Sequence, residues 1–460
     1  MCEPFQKKGA DFLSHRRYAL LADSMGLGKT VQSIAALDMV KAKSVVIVCP
    51  GVARTNWKKE LVKFKSQIDL TNLHVIESSK QLDQVMPGDS VILTYNLASK
   101  LPEYLRFDVA ILDEAHFVKN RGTERTEILM FPPEERVGKH RRNPIPSLMQ
   151  RVTRLWCLTG TPTPNDPVEM YVFTKAFRIH YLNRSAFIDY FFRVITSGFG
   201  GIVNLGVRDE RKAEWDKMLH AFMLRRTPTD AEVTLPPLVF SSVYVEPDAS
   251  IKLDAEETES AALAEGKLIE DIRGGRLEKA LMNEAVNAGS LRRLYGTQKV
   301  KGAVRYIKEL HDTGQFKKAI IFCHHRDVTE GVAKGLQGLG CEMIIGGMSR
   351  KDLDKSIDRF QSDPTCSAIS ASISMSNAAI NLQAADTIVF VEMDWVPGNN
   401  SQAVGRAQRK GQKNSHINVV LIKLEGNEVD EAVIDTLKRK VEIVGRYFKE
   451  DVQTKLEYGA

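Results

Sequence analysis

The run MGLGKT at Met25 to Thr30 decides the fold. A short apolar segment, Tyr18 to Leu21, precedes it, and a helical pattern beginning Val31, Ile34, Ala35 follows. A glycine-containing turn between a strand and a helix, closed by Lys-Thr, is the arrangement of a phosphate-binding loop. Gly26 and Gly28 let the backbone turn tightly, so that its N–H groups point at phosphate oxygens that the N-terminus of the next helix also attracts. In this reading Met25, Gly26, Leu27 and Gly28 cradle the phosphates of ATP, Lys29 neutralises the β/γ-phosphates and Thr30 holds Mg²⁺. The strict pattern has a glycine five residues before Gly28, where this chain has Asp23. The competing reading is a plain glycine turn between a strand and a helix.

A chain of 460 residues exceeds one domain, because single cores stop growing at roughly 250–300 residues. Its composition, 43% hydrophobic and 27% charged, is that of a globular protein, and no apolar run approaches the roughly 20 residues needed to cross a bilayer. No membrane partner is expected. The opening MCEPFQKKGADFL lacks the apolar stretch of a secretory signal, so the expected compartment is cytosolic or nuclear. Six dispersed cysteines without a CxxC pair read as reduced, mostly buried thiols and not as metal ligands. The net charge of +6 is compatible with a polyanion partner and decides little alone. A local cluster from Arg136 to Arg154 carries six Lys/Arg and no acid, which suits either phosphate contact or solvated surface.

Short β-branched or apolar runs recur at Val45 to Cys49, Val91 to Leu93, Val109 to Leu112 and Leu155 to Leu158, each followed by a polar or glycine-containing loop. Alternating with helical text, they predict an α/β fold with a parallel sheet. Between about 171 and 235 aromatic-rich text (FIDYFFRVI, EWDKMLHAFMLRR) predicts a helical insertion that closes at Leu235-Pro236-Pro237. A second helical insertion is expected over about 250–295. Strand-like runs resume at Ala319 to Cys323, Met343 to Ile345, Ile388 to Val391 and Val419 to Ile422. The expectation is two parallel-sheet domains, 1–235 and 236–460, each with a helical insertion.

After the strand VAIL stands Asp113-Glu114-Ala115-His116. Placed beside the phosphate loop, Asp113 holds Mg²⁺ and Glu114 orients and deprotonates the attacking water. The rival reading is an acidic pair favoured by a helix dipole. In Gln402 to Gln412 (QAVGRAQRKGQ), Arg406 and Arg409 are three apart, so a helix puts both on one face, within reach of one phosphate cluster. Following a strand of the second domain, they occupy the position of arginine fingers.

With these motifs in order, the chain resembles the helicase-like ATPases of superfamily two, and within them the Swi/Snf family of double-stranded-DNA translocases, over nearly its whole length. Pro4-Phe5-Gln6 matches the adenine-reading element, LADSMGLGKT the phosphate loop, and CPGVARTNWKKE from Cys49 the segment that grips a nucleic-acid backbone. LTYNLASKL from Leu93, LDEAHFVKN from Leu112, LTGTPTPN from Leu158, LRRTPTD from Leu224, IIFCHH from Ile320 and DWVPGNNSQA from Asp394 continue the series. ISMSNAAINLQAADTIVF is most similar to the annealing-helicase branch. The chain departs from the family pattern at Ala379, where glycine is usual, and at Gln408, where histidine is usual, while Gly405-Arg406 is more typical of other superfamily-two helicases.

The resemblance implies two RecA-like domains with the nucleotide in the cleft between them. It adds Gln6 to the ATP site and Gln402 to the catalytic arginine motif. It assigns DNA contacts to Gly51, Arg54, Asn56, Trp57, Thr94, Tyr95, Ser376 and Asn377, and to Trp395 as a wedge if that side chain is not simply core. Thr159 and Thr161 either couple the two sites or cap a helix. The implied activity is ATP-driven movement along double-stranded DNA by a bare motor of bacterial or viral origin. Its rivals are a strand-separating DNA or RNA helicase and a nucleotide-switched DNA- or protein-binding module.

Overall fold

Strand β1 (Tyr18–Leu21) is buried from Ala19 onward and carries the phosphate loop at its C-terminal end. In chain order the same region forms β2 (Val45–Val48), β3 (Leu73–Val75), β4 (Ser90–Leu93), β5 (Phe107–Asp113), β6 (Val152–Leu158), β7 (Phe192–Thr196), β8 (Ile202–Val207) and β9 (Met223–Leu224). Seven of these make one sheet in the order β3-β4-β2-β5-β6-β1-β9, with every pair parallel. Parallel strands need crossovers that cover both faces, which is why β2 reads as an unbroken apolar run, Val-Val-Ile-Val, buried throughout. Alternate residues Ala19 and Leu21, Val45 and Ile47, Val109 and Ile111, and Trp156 and Leu158 share one core with helices Pro4–Ser14, Lys29–Met39 and Arg54–Lys63.

The computed structural model describes residues 2–164, 166–196, 202–251, 265–266, 288–377, 380–409, 411–431, 433–435 and 437–438. The chain divides into two compact units, Met1–Arg193 with Gly206–Val233, and Val194–Leu205 with Thr234–Ala460. Of the helical stretch expected near 250–295, residues 252–264 and 267–287 lie outside the described residues, as does Ala379.

The second unit has its own all-parallel sheet, built from β10 (Leu238–Val245), β11 (Ala319–Cys323), β12 (Glu342–Ile344), β13 (Ala368–Ser372), β14 (Thr387–Phe390) and β15 (Ile417–Leu424) in the order β10-β15-β14-β11-β13-β12. Helices Ala288–Asp312 and Arg326–Gly335 pack on it, contributing Ala303, Ile307, Leu310, Val328 and Val332 to a second core.

Several sequence expectations are corrected. FIDYFFRVI is not wholly helical: the helix Arg184–Phe191 ends at Phe191, and the β-branched run after it is strand β7, paired with β8. EWDKMLHAFMLRR is helical only to Phe222, because Met223 and Leu224 join β1 as its edge partner. The helix of the arginine motif, Pro397–Val404, stops before both arginines, so Arg406 and Arg409 lie in the turns that follow it and share no helix face. Among the described residues no helix is long and apolar enough to cross a membrane.

Candidate nucleotide-binding site

The strand order β5-β6-β1 sets three loop-bearing ends side by side: Asp113-Glu114 after β5, Thr159-Gly160 after β6 and the phosphate loop after β1. This is where parallel sheets gather ligand-binding loops. Gly26 and Gly28 have φ of 83° and 70°, a region that L side chains rarely adopt, and Gly28 in this conformation is the residue that starts helix Lys29–Met39. A Cβ on Gly28 would stand 2.6 Å from Gln6 Nε2, whose amide also reaches the Leu27 carbonyl at 3.5 Å. The adenine-reading candidate Gln6 therefore touches the phosphate loop itself, and Leu27 is buried beneath it.

Lys29 Nζ donates to the Asp23 carbonyl at 2.8 Å and the Ser24 carbonyl at 3.4 Å. Burial lowers its pKa, while Glu114, Asp23 and Asp113 pull in the other direction and Arg225 adds to the lowering. Arg225 Nη1 donates to the carbonyls of Ala22 at 3.0 Å and Gly160 at 3.5 Å, tying the end of β1 to the loop after β6. A Cβ on Gly160 would meet Met25 Cγ at 2.7 Å and Lys29 Nζ at 3.4 Å, so that loop lies against the phosphate cradle. Thr30 occupies the first turn of the helix.

The two carboxylates are held differently. Asp113 Oδ2 accepts from Trp57 Nε1 at 2.8 Å, Oδ1 accepts from the Glu114 N–H at 3.0 Å, and its carbonyl accepts from Tyr95 Oη at 2.8 Å. Burial first, and then the neighbouring Glu114 charge, push the Asp113 carboxyl up to about 6. Glu114 sits at φ 54°, ψ 51°, a left-handed conformation that costs a non-glycine residue about 1–3 kcal/mol and recurs at functional sites. Its Oε2 is 3.3 Å from His116 Nδ1, which is in turn 3.3 Å from Thr159 Oγ1, and the Thr161 N–H donates to that hydroxyl at 3.1 Å. The TGTP threonines thus reach the carboxylate through one imidazole.

Among the DNA-contact candidates, Trp57 and Tyr95 are corrected. Both are buried, at 1% and 5% exposure, with their polar atoms turned onto Asp113. The motif resemblance gives Trp57 a DNA contact, whereas its indole partner, Asp113, lies 56 residues away in sequence. Replacing it with phenylalanine removes a hydrogen bond to a charged group, so Trp57→Phe is expected to lower stability by about 2 kcal/mol, read by urea unfolding. A loss of DNA affinity at unchanged stability would contradict this assignment.

Arg54 spends its guanidinium on the Gly51 and Ile76 carbonyls; Asn56 and Thr94 remain partly exposed, and Gly51 is exposed with Thr94 as its neighbour, 3.7 Å from where a Cβ would lie. Ser376 and Asn377 end the short turn Ile373–Asn377. Trp395 is 6% exposed with the Arg292 guanidinium 4.6 Å over its ring, a packed side chain and not a projecting wedge. Gln402 and Arg406 are buried, and Arg409 Nε donates to the Gly405 carbonyl at 2.9 Å. Gln408 Nε2 donates to the Pro236 carbonyl at 2.7 Å, so this departure has a structural use.

The basic cluster also divides. Arg136 is 1% exposed and donates to four backbone carbonyls, those of Glu127, Phe131, Asn143 and Ile145, while Arg151 is buried against Leu101 and Pro102. Lys139, Arg141 and Arg142 are left exposed on the turn that Arg136 braces.

Two family models match the chain, one described as SNF2-related domain over residues 5–133 and one as helicase conserved C-terminal domain over residues 302–411. The chain is 28% identical over 462 residues to the SWI/SNF-related matrix-associated actin-dependent regulator of chromatin subfamily A-like protein 1 of Drosophila melanogaster, across 98% of this chain and 56% of that protein. It is 27% identical over 466 residues to the DNA annealing helicase and endonuclease ZRANB3 of Bos taurus, across 96% of this chain and 40% of that protein. The chain thus spans about half the length of these curated relatives. Among solved structures it is similar to the Sulfolobus solfataricus SWI2/SNF2 ATPase core in complex with dsDNA, with 22% identity, a TM-score of 0.42, and coverage of 99% of this chain and 93% of that one. The first match falls on the sheet that carries the phosphate loop and the second on strands β11 to β14 and the arginine motif, so the chain is similar to SNF2-related, helicase-like ATPases in both of its units.

Proposed function

We propose that the protein hydrolyses ATP to ADP and phosphate in order to move along double-stranded DNA. The observation that carries the reading is the convergence of the phosphate loop, Asp113-Glu114 and Thr159-Gly160 at adjacent strand ends. Gln6 and the loop N–H groups hold the nucleotide, and Lys29 exchanges its loop carbonyls for phosphate oxygens. Glu114 takes the proton of the attacking water, with His116 fixing the carboxylate. The Thr30 hydroxyl and the Asp113 carboxylate are hard oxygen donors, and a carboxyl raised first by burial and then by the neighbouring Glu114 charge is stabilised in its ionised form by a divalent cation. Mg²⁺ bound there with ATP supplies neutralisation of phosphate charge. Gln402, Arg406 and Arg409 are assigned to the γ-phosphate on the motif series alone.

DNA is favoured as the polymer by the names of the relatives, one a regulator of chromatin and one a DNA annealing helicase. Contacts through Gly51, Asn56, Thr94, Ser376 and Asn377 fall on backbone and small polar groups, the kind that position phosphates without reading bases, and Arg54 would join them by releasing the Gly51 and Ile76 carbonyls that its guanidinium holds. Lys139, Arg141 and Arg142 are the natural additional contact, held on a braced turn. Reversing all three to glutamate is expected to weaken duplex binding at least about tenfold and to flatten the salt dependence by up to about three log units per log unit of salt. An unchanged affinity and slope in a fluorescence-anisotropy titration return the turn to plain solvated surface.

A further inference from the structure

Asp23 stands where the strict phosphate-loop pattern has glycine, and its carboxylate is fully buried. Its partner comes from about two hundred residues later. Arg226 Nε donates to Asp23 Oδ1 at 3.0 Å and Arg226 Nη2 to Oδ2 at 2.6 Å, a two-pronged ion pair. The same guanidinium donates to Gln32 Oε1 at 2.8 Å and to the Phe5 carbonyl at 2.5 Å. Gln32 Nε2 then donates to Asp23 Oδ2 at 3.0 Å and to the Leu27 carbonyl, inside the loop, at 3.0 Å. Backbone bonds run beside this network, from the Ala22 N–H to the Leu224 carbonyl at 2.7 Å and from the Ser24 N–H to the Arg226 carbonyl at 2.9 Å.

One side chain thus joins the base-reading segment at Phe5, the residue entering the loop, and the helix leaving it. Space is tight enough that a Cβ on Gly9 would lie 1.7 Å from Gln32 Oε1 and 2.8 Å from Arg226 Nη2. We infer that Arg226 is a positioning residue for ATP, which through Asp23 and Gln32 sets the phosphate loop and through the Phe5 carbonyl keeps the base-reading helix in register with it. A loop glycine leaves conformation to the backbone; here an ion pair fixes it. Only a planar fork serves these partners at once, and an ammonium ion cannot. Arg226 lies in LRRTPTD, just ahead of the boundary at Val233, so the segment that leads into the second unit also braces the nucleotide site.

This inference rests on the ATP-site reading above. The test is Arg226→Ala and Arg226→Lys in the full chain, read by fluorescent-nucleotide affinity, by KM and kcat for ATP and GTP, and by thermal melting. Misplacing a bound group by about 1 Å can cost about a hundredfold, so nucleotide affinity is expected to fall and KM for ATP to rise about 10–100-fold in Arg226→Ala. The preference for ATP over GTP should shrink, and lysine should rescue only part of the loss. If Arg226→Ala does not fold, Gln32→Met, which keeps the Arg226–Asp23 ion pair and removes the amide's bonds to Arg226, Asp23 and the Leu27 carbonyl, is expected to show the same shift in smaller degree. A lowered melting temperature with affinity and KM within about twofold of the parent overturns the inference. Absence of turnover in the parent is a separate result against the ATPase reading, and nucleotide affinity still decides the role of Arg226.

Discussion

Replacing Lys29 with alanine is expected to lower kcat/KM for ATP by about 10⁴-fold, the largest effect of any single change in the first unit. The ammonium contributes twice. In the bound state it makes a charge-assisted contact with phosphate, and losing such a contact costs about 1.5–3 kcal/mol, roughly a 10–100-fold loss of affinity. In the transition state it faces charge growing on the departing phosphate, and removing one such donor lowers kcat by about 10²–10³. The side chain rests on the carbonyls of Asp23 and Ser24, bonds that it must exchange for phosphate oxygens when nucleotide binds. A fluorescent-nucleotide titration alongside steady-state kinetics separates the two parts. Affinity preserved within error would remove Lys29 from the binding site.

Glu114→Gln is expected to behave differently, losing about 10²–10³ in kcat with nucleotide affinity intact, because the amide matches the carboxylate in size and cannot accept the proton. The left-handed backbone at this residue and its contact with His116 aim the side chain before substrate arrives. The variant therefore traps a nucleotide-bound state, which Lys29→Ala cannot do. Hydrolysis at near the parent rate would show that another group serves as base.

Much of this was legible in the sequence, and the limits have a common cause. The phosphate loop, Asp113-Glu114 and the buried strands at Val45, Val109, Leu155 and Ala319 are local patterns, set by glycine geometry and by two-sided burial. Strand β13, Ala-Ile-Ser-Ala-Ser, was not legible, because a central strand made of small residues carries no apolar run; its Ser370 hydroxyl is satisfied by the Thr329 carbonyl at 2.9 Å. Edge strand β10 shows alternation in place of a continuous run. The roles of Trp57, Tyr95 and Arg226 depend on partners 56, 18 and 203 residues away, and nothing in their own neighbourhoods encodes those. The arginine turn was misread because spacing of three suits a helix, whereas the helix ends at Val404 and Gly405 follows it.

The central claim is that ATP hydrolysis here serves movement on duplex DNA, and it is tested most directly by the ATPase rate measured with duplex DNA, single-stranded DNA, RNA and no polymer. Duplex DNA is expected to stimulate the rate most, well above RNA, and that stimulation is expected to fall steeply with salt as phosphate contacts are screened. Equal stimulation by RNA and duplex DNA, or turnover indifferent to any polymer, would contradict it.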